Sequence, residues 1–189
     1  MLAEKCKVAV FVSGGGTNLQ AILDSRGEII KNAEIYLVAS SSKDAYALER
    51  AKKHDIETFI IEDEQRLVEK LKSLEIDFIV LAGYLRILSK DFCKRYSNRI
   101  INVHPSLIPS FCGKGFYGLK VHEKALEYGV KVSGATVHFV NEIPDGGKII
   151  DQKAVRVHEG DTAEDLQKRV MAEAEHIILP QAVENVALM

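Results

Sequence analysis

The chain has 189 residues, with 25 Lys plus Arg against 27 Asp plus Glu and a formal net charge of -2. At 47% hydrophobic and 28% charged it has the composition of a globular domain with a core, which excludes a disordered chain. The longest apolar runs, Val8 to Val12 and Phe78 to Ala82, are far short of the ~20 residues of a bilayer span, and the near-neutral charge argues against nucleic-acid binding. The start, Met1-Leu2-Ala3-Glu4-Lys5, meets charge at once and has no signal-peptide core. Cys6, Cys93 and Cys112 are odd in number and scattered, so a reducing cytoplasm is expected rather than a disulfide scaffold.

In chain order, residues 7–12 read as a β-branched strand buried on both faces, and 35–39, 58–61, 78–82 and 99–103 read likewise. Between them, Leu19 to Ile30 follows Asn18 as an N-cap, while Ala45 to Lys53 and Glu64 to Leu74 carry helical apolar spacing. Alternating strands and helices imply crossovers and a parallel sheet. After about residue 130 the pattern changes. Residues 131–140 and 148–157 predict an antiparallel pair around Ile143-Pro144-Asp145-Gly146-Gly147. A final helix opens at Gly160-Asp161-Thr162, capped by Asp161 with Glu164 or by Thr162 with Asp165, and Pro180 is expected to kink or end it. The expected fold is α/β, a mostly parallel, Rossmann-like sheet with helices on both faces and an appended antiparallel strand pair. It forms a single domain, residues 1–189, with a phosphate-binding lobe over 1–100 and a catalytic lobe over 101–189.

Ser13-Gly14-Gly15-Gly16-Thr17-Asn18 separates the first strand from the first helix. Glycines let a ligand approach the backbone, and a helix start favours an anion, so a phosphate is the natural guest. No Gly-x-x-x-x-Gly-Lys-Ser/Thr or Gly-x-Gly-x-x-Gly is present, and Ser40-Ser41-Ser42 lacks an acidic ribose partner, which favours a phosphomonoester over a dinucleotide. At the end of the fifth strand, Asn102 and His104 point to one face, and Pro105 ends the pairing. An amide beside an imidazole offers an oxyanion donor and a near-neutral proton carrier. Asp145 on the Asp-Gly turn is good turn chemistry, and it would raise the His104 pKa if the two met. There is no Gly-x-Ser-x-Gly, no His-Glu-x-x-His among the six histidines and no Cys-x-x-Cys, which leaves a metal site little support.

The segments SGGGTN (13–18), LAGYLRIL (81–88), NVHPSLIP (102–109), SGATVHFV (133–140), DGG (145–147) and AEHIILP (174–180) together resemble the folate-dependent glycinamide ribonucleotide formyltransferases of purine biosynthesis. The resemblance covers nearly the whole chain. It implies formyl transfer from 10-formyltetrahydrofolate, as a co-substrate and without a metal, to the primary amine of glycinamide ribonucleotide. It assigns catalysis to Asn102, His104 and Asp145. It gives the ribonucleotide to Gly15, Gly16, Thr17, Asn18 and Glu175. The folate's pterin end falls to Leu85, Arg86, Ile87 and Leu88, to Asn102, and to Asn141, Glu142, Ile143, Pro144 and Asp145, largely through backbone groups, with Thr136 and His138 supporting. Small molecules are the expected partners, with neither nucleic acid nor membrane, and a homodimer is left open. Residues 110–118 are longer than the family's loop, and Arg66 stands as a loose match to its basic folate contact. Methionyl-tRNA formyltransferases and formyltetrahydrofolate deformylases share the Asn-His-Asp arrangement, but carry an additional carboxyl-terminal or amino-terminal domain. A non-catalytic phosphometabolite-binding module would explain the glycine loop alone.

Overall fold

The computed structural model describes residues 5–189, so most of the charged start, residues 1–4, lies outside the described residues. Seven strands form one sheet: β1 (Cys6–Val12), β2 (Ala33–Ser40), β3 (Glu57–Ile60), β4 (Phe78–Leu81), β5 (Ile100–His104), β6 (Val132–Phe139) and β7 (Ile149–Arg156). Their order is β3-β2-β1-β4-β5-β6-β7, parallel through β5 and antiparallel at β5/β6 and β6/β7. Alternation along β1 shows why its sequence is continuously apolar. Val8, Val10 and Val12 enter one core, whereas Ala9 and Phe11 enter a second core on the opposite face.

The first core is closed by α1 (Thr17–Asp24), α2 (Tyr46–Lys52), α6 (Ala163–Val170) and α7 (His176–Ala187). The second is closed by α3 (Glu64–Ser73) and α4 (Lys90–Arg95). Asp63 caps α3 through the Arg66 N–H, and Ser89 caps α4 through the Phe92 N–H. The remaining helix, α5 (Leu119–Tyr128), follows the long 110–118 segment and adds Ala125 to the first core. No helix among the described residues is long and apolar enough to cross a membrane.

Two local expectations are corrected, at α1 and at Pro180, and one open alternative, at α6, is resolved. Asn18 does not cap α1. Gly16, in the left-handed region at φ 73°, holds that position without a side-chain cap, and α1 stops at Asp24 rather than Ile30. At α6 the Thr162–Asp165 pair forms the capping box, while Asp161 pairs with Arg169 at 2.5 Å and accepts the His158 N–H. Pro180 does not end its helix: α7 runs through it to Ala187, with Pro180 buried. The irregularity falls earlier, at a π-helical turn over Met171–Glu175, and a widened turn of this kind is commonly found at functional sites.

Candidate active site

The glycine loop leaves β1 at Ser13. Gly14 and Gly15 are exposed, and their carbonyls are taken by the Ala47 N–H (3.0 Å) and by Arg50 Nε (2.8 Å). Arg50 also donates to Gln20 Oε1 at 2.9 Å and lies over the Tyr46 ring. Gly16 is required twice over, by its positive φ and because a Cβ there would sit 2.6 Å from Ala47 Cβ. With no side-chain cap, the first N–H groups of α1 have no such partner beside exposed Thr17, an arrangement that suits an anion. Arg50 carries a cation to this loop, and nothing in its helical spacing marks it for that role.

Behind the loop, buried Asn18 donates through Nδ2 to Glu175 Oε2 at 2.7 Å, while its own Oδ1 is buried without a hydrogen-bond partner. Glu175 occupies the last position of the π-helical turn and is 6% exposed. Burial pushes its carboxyl above the usual range, and the Asn18 amide only partly offsets this. An orphaned acceptor beside a buried carboxyl that holds its proton more tightly than usual is a polar recess ready for a hydroxyl-bearing ligand.

The second cluster grows from β5. Ile101 and Val103 face the first core, so Asn102 and His104 share the other face, where the second core ends with Ile100. Antiparallel pairing sets Asn102 opposite His138 and His104 opposite Thr136. Asn102 Nδ2 lies 3.2 Å from His138 Nε2, and His138 Nδ1 donates to the Phe139 carbonyl at 2.8 Å. Thr136 donates to the Ser106 carbonyl and accepts from the Ile108 N–H and Gln152 Nε2, which pins the turn after His104.

Asp145 arrives from the β6–β7 connection, which folds back along the sheet. Gly147 makes that return feasible, since a Cβ there would lie 1.7 Å from the Phe139 carbonyl oxygen. Asn141 Oδ1 accepts the Ile143 N–H, and Ile143 O accepts the Gly146 N–H, closing the turn that carries Asp145 at φ 55°. The carboxylate then lies 3.6 Å from His104 Nδ1 and 3.5 Å from His138 Nε2, and it accepts the Gly113 N–H at 2.8 Å. Asn102, His104 and Asp145 are thus brought into one cluster, with His138 as the ring between the amide and the carboxylate.

Electrostatics modify the expected picture of His104. Burial pushes its imidazole below the ordinary value, the Asp145 carboxylate and the Phe111 carbonyl pull it back up, and burial prevails. Contrary to the expectation that Asp145 would leave it raised, the ring favours its neutral form. Nε2 carries the proton, because it donates to the Phe111 carbonyl at 2.9 Å. At 3.6 Å the Nδ1–carboxylate contact is longer than a hydrogen bond. Burial also pushes Asp145 upward, but His138, His104 and the Gly113 N–H outweigh it and hold the carboxyl below its usual range. The 110–118 segment therefore supplies two backbone partners to this cluster.

The remaining assigned segment, residues 85–88, projects Leu85 and Ile87, 67% and 85% exposed, whereas Leu88 is buried in the second core. The Arg86 guanidinium turns back to the Ser41 and Ile61 carbonyls, so its side chain acts as a brace. On the β6–β7 connection, Ile143 is likewise exposed. Arg66, exposed in the first turn of α3, pairs with Glu62 at 2.7 Å. Among the described residues no group of three or more His, Cys, Asp or Glu side chains is arranged to hold a metal ion.

Comparison with known proteins identifies a family for the whole chain. Residues 6–183 match the formyl transferase family. A phosphoribosylglycinamide formyltransferase of Haemophilus influenzae is 39% identical over 94% of this chain and 85% of the relative. The chloroplastic phosphoribosylglycinamide formyltransferase of Arabidopsis thaliana is 40% identical over 94% of this chain, which spans 64% of that relative's length. The human trifunctional purine biosynthetic protein adenosine-3 is 42% identical over 97% of this chain, which spans only 18% of it. The crystal structure of glycinamide ribonucleotide transformylase 1 from Symbiobacterium toebii superposes with a TM-score of 0.89 at 41% identity, covering 98% of this chain and 89% of that one. The chain belongs to the formyl transferase family, among its phosphoribosylglycinamide formyltransferases.

Proposed function

We propose that this protein transfers the formyl group of 10-formyltetrahydrofolate to the primary amine of glycinamide ribonucleotide, a step of purine biosynthesis, with Asn102, His104 and Asp145 as its catalytic residues. The observation that carries the reading is the meeting of Asp145, from a loop folded back along β6, with His104 and His138, the latter 3.2 Å from Asn102. The Gly14–Asn18 loop and Glu175 take the ribonucleotide, whose phosphate suits the α1 start and whose hydroxyls suit the Asn18–Glu175 recess. Exposed Leu85, Ile87 and Ile143 offer apolar surface to the pterin ring, with backbone groups of 85–88 and 141–145 reading its edge. The phosphate loop lies in residues 1–100 and the catalytic residues in 101–189, with Glu175 reaching across to the ribonucleotide and residues 85–88 to the folate.

In the reaction the substrate amine attacks the formyl carbon, and the carbonyl π pair moves onto oxygen. That oxyanion takes hydrogen bonds from the Asn102 amide and from His104 Nε2–H, in competition with the Phe111 carbonyl. As negative charge grows, the imidazole becomes more basic, and Asp145, 3.6 Å from Nδ1, stabilises the proton that Nδ1 takes from solvent and returns to it when the oxyanion collapses to the new formamide carbonyl. A water relays the amine proton to the folate nitrogen as its bond to the formyl carbon breaks. No covalent enzyme intermediate is required, since holding two reactants in register supplies much of the acceleration.

Turnover with 10-formyltetrahydrofolate, with and without the ribonucleotide, tests the reading. Activity that requires the ribonucleotide is expected, and Asn102→Ala and His104→Ala should each lower kcat about 10²–10³-fold. Near-full turnover in both variants would sink the assignment. Formate release without acceptor would point to a deformylase.

A further inference from the structure

The glycine loop and the 85–88 segment belong to different ligands in the reading above, on which this inference rests, yet one side chain joins them. Backbone pairing between β1 and its neighbours ends with the Ala82 N–H on Phe11 O and the Ser41 N–H on Val12 O. Immediately beyond, the Ser13 hydroxyl takes over. Its Oγ accepts the Leu85 N–H at 2.9 Å and shares a hydrogen bond of 2.7 Å with Ser41 Oγ. Among the described residues this is the only hydrogen bond between 13–18 and 83–89.

The 85–89 segment is pinned elsewhere to the carboxyl edge of the sheet and to α3. Arg86 reaches the Ser41 and Ile61 carbonyls, and Glu64 accepts both the N–H and the hydroxyl of Ser89. Those anchors do not involve the glycine loop. Ser13 does, because Gly14 follows it directly and Gly14 and Gly15 are themselves tethered to α2.

We propose that Ser13 is a positioning residue that couples the two substrate sites. A phosphomonoester on the α1 start tightens a loop already tethered to α2 and so strengthens the hold of Ser13 Oγ on the Leu85 N–H, which presents the 85–88 backbone to the folate. By linkage, folate binding favours the ribonucleotide by the same factor. One neutral hydrogen bond sets the scale of that factor at about 2–10-fold.

The test measures the dissociation constant of a 5,8-dideazafolate analogue that cannot transfer a formyl group, by calorimetry, with and without saturating glycinamide ribonucleotide. Wild-type protein should bind the analogue about 2–10-fold tighter when the ribonucleotide is present. In Ser13→Ala that ratio should fall towards one, and in turnover the loss should appear as a raised folate KM exceeding any fall in kcat. Ser41→Ala, which removes the partner orienting the same hydroxyl, should shift the ratio in the same direction and serves if Ser13→Ala folds poorly. An unchanged ratio in the variants, or no ratio in an active wild type, would overturn the coupling. A wild type that binds neither ligand would overturn the functional reading and the coupling with it.

Discussion

At the scale of single residues, the behaviour of His104 is decided by a contest between burial and a carboxylate 3.6 Å away, and burial wins. Its imidazole should titrate below 6.5 in an NMR pH titration. Asp145→Asn removes a raising influence, so the midpoint should move lower still. A midpoint above 6.5, or an upward move in the variant, would contradict this balance. The shared face of Asn102 and His104 was legible in the sequence because strand alternation has a period of two. Their meeting with Asp145 was not, because it depends on a loop folding back at Gly147, which no spacing encodes. His138 was legible only as a supporting neighbour, and its place between Asn102 and Asp145 follows from β5/β6 register. Arg50 and Ser13 act through contacts between elements, to which helical and strand periodicity is blind.

Among the elements, all seven strands were legible, the five parallel ones as short, largely apolar runs and β6 and β7 as strand-like stretches on either side of the Asp-Gly turn. Two helices were not. The six residues of α4 offer little more than a turn and a half, and α5 begins directly after Gly118, within a glycine-rich stretch. Pro180 misled for a different reason: a proline in a helix reads as a break, whereas here the chain accommodates it within a buried helix just after the π-helical turn. The position of α7 is held by Glu184, whose carboxylate accepts the Lys31 N–H, the Asn32 N–H and Asn32 Nδ2 at 2.9, 3.0 and 2.6 Å. Burial is the largest single influence and raises this carboxyl, but the donors together prevail and keep it below its usual range, so its contribution is present above pH 4.5 and lost in acid. Glu184→Ala should cost about 1–3 kcal/mol, seen as a Tm lower by roughly 2–10 °C. A change within 1 °C, by the same scale, would mean that the helix is held by its apolar face alone.

For the whole molecule, the buried histidines set the response to acid. His122 on α5 is fully buried, and both its ring nitrogens lack a partner; burial and, secondarily, His104 push its pKa down to about 4. An unfolded chain would protonate it near 6.5, so the unfolded state binds more protons between those values and stability falls as pH drops through that window. The loss should reach about 3 kcal/mol by pH 4. Urea unfolding at pH 7, 5.5 and 4.5 measures it, and His122→Phe, which cannot take up the proton, should flatten the dependence. An equally steep decline in that variant would assign acid sensitivity to other groups. The hairpin that carries Asp145 has a separate consequence for redesign. Its base is clamped by the Asn141 turn and by Gly147 against β6, while Glu142, Ile143 and Pro144 at the tip face outward. Under the proposed function the tip is therefore a replaceable cartridge: side-chain changes there should alter donor preference while the frame that aims the carboxylate stays intact.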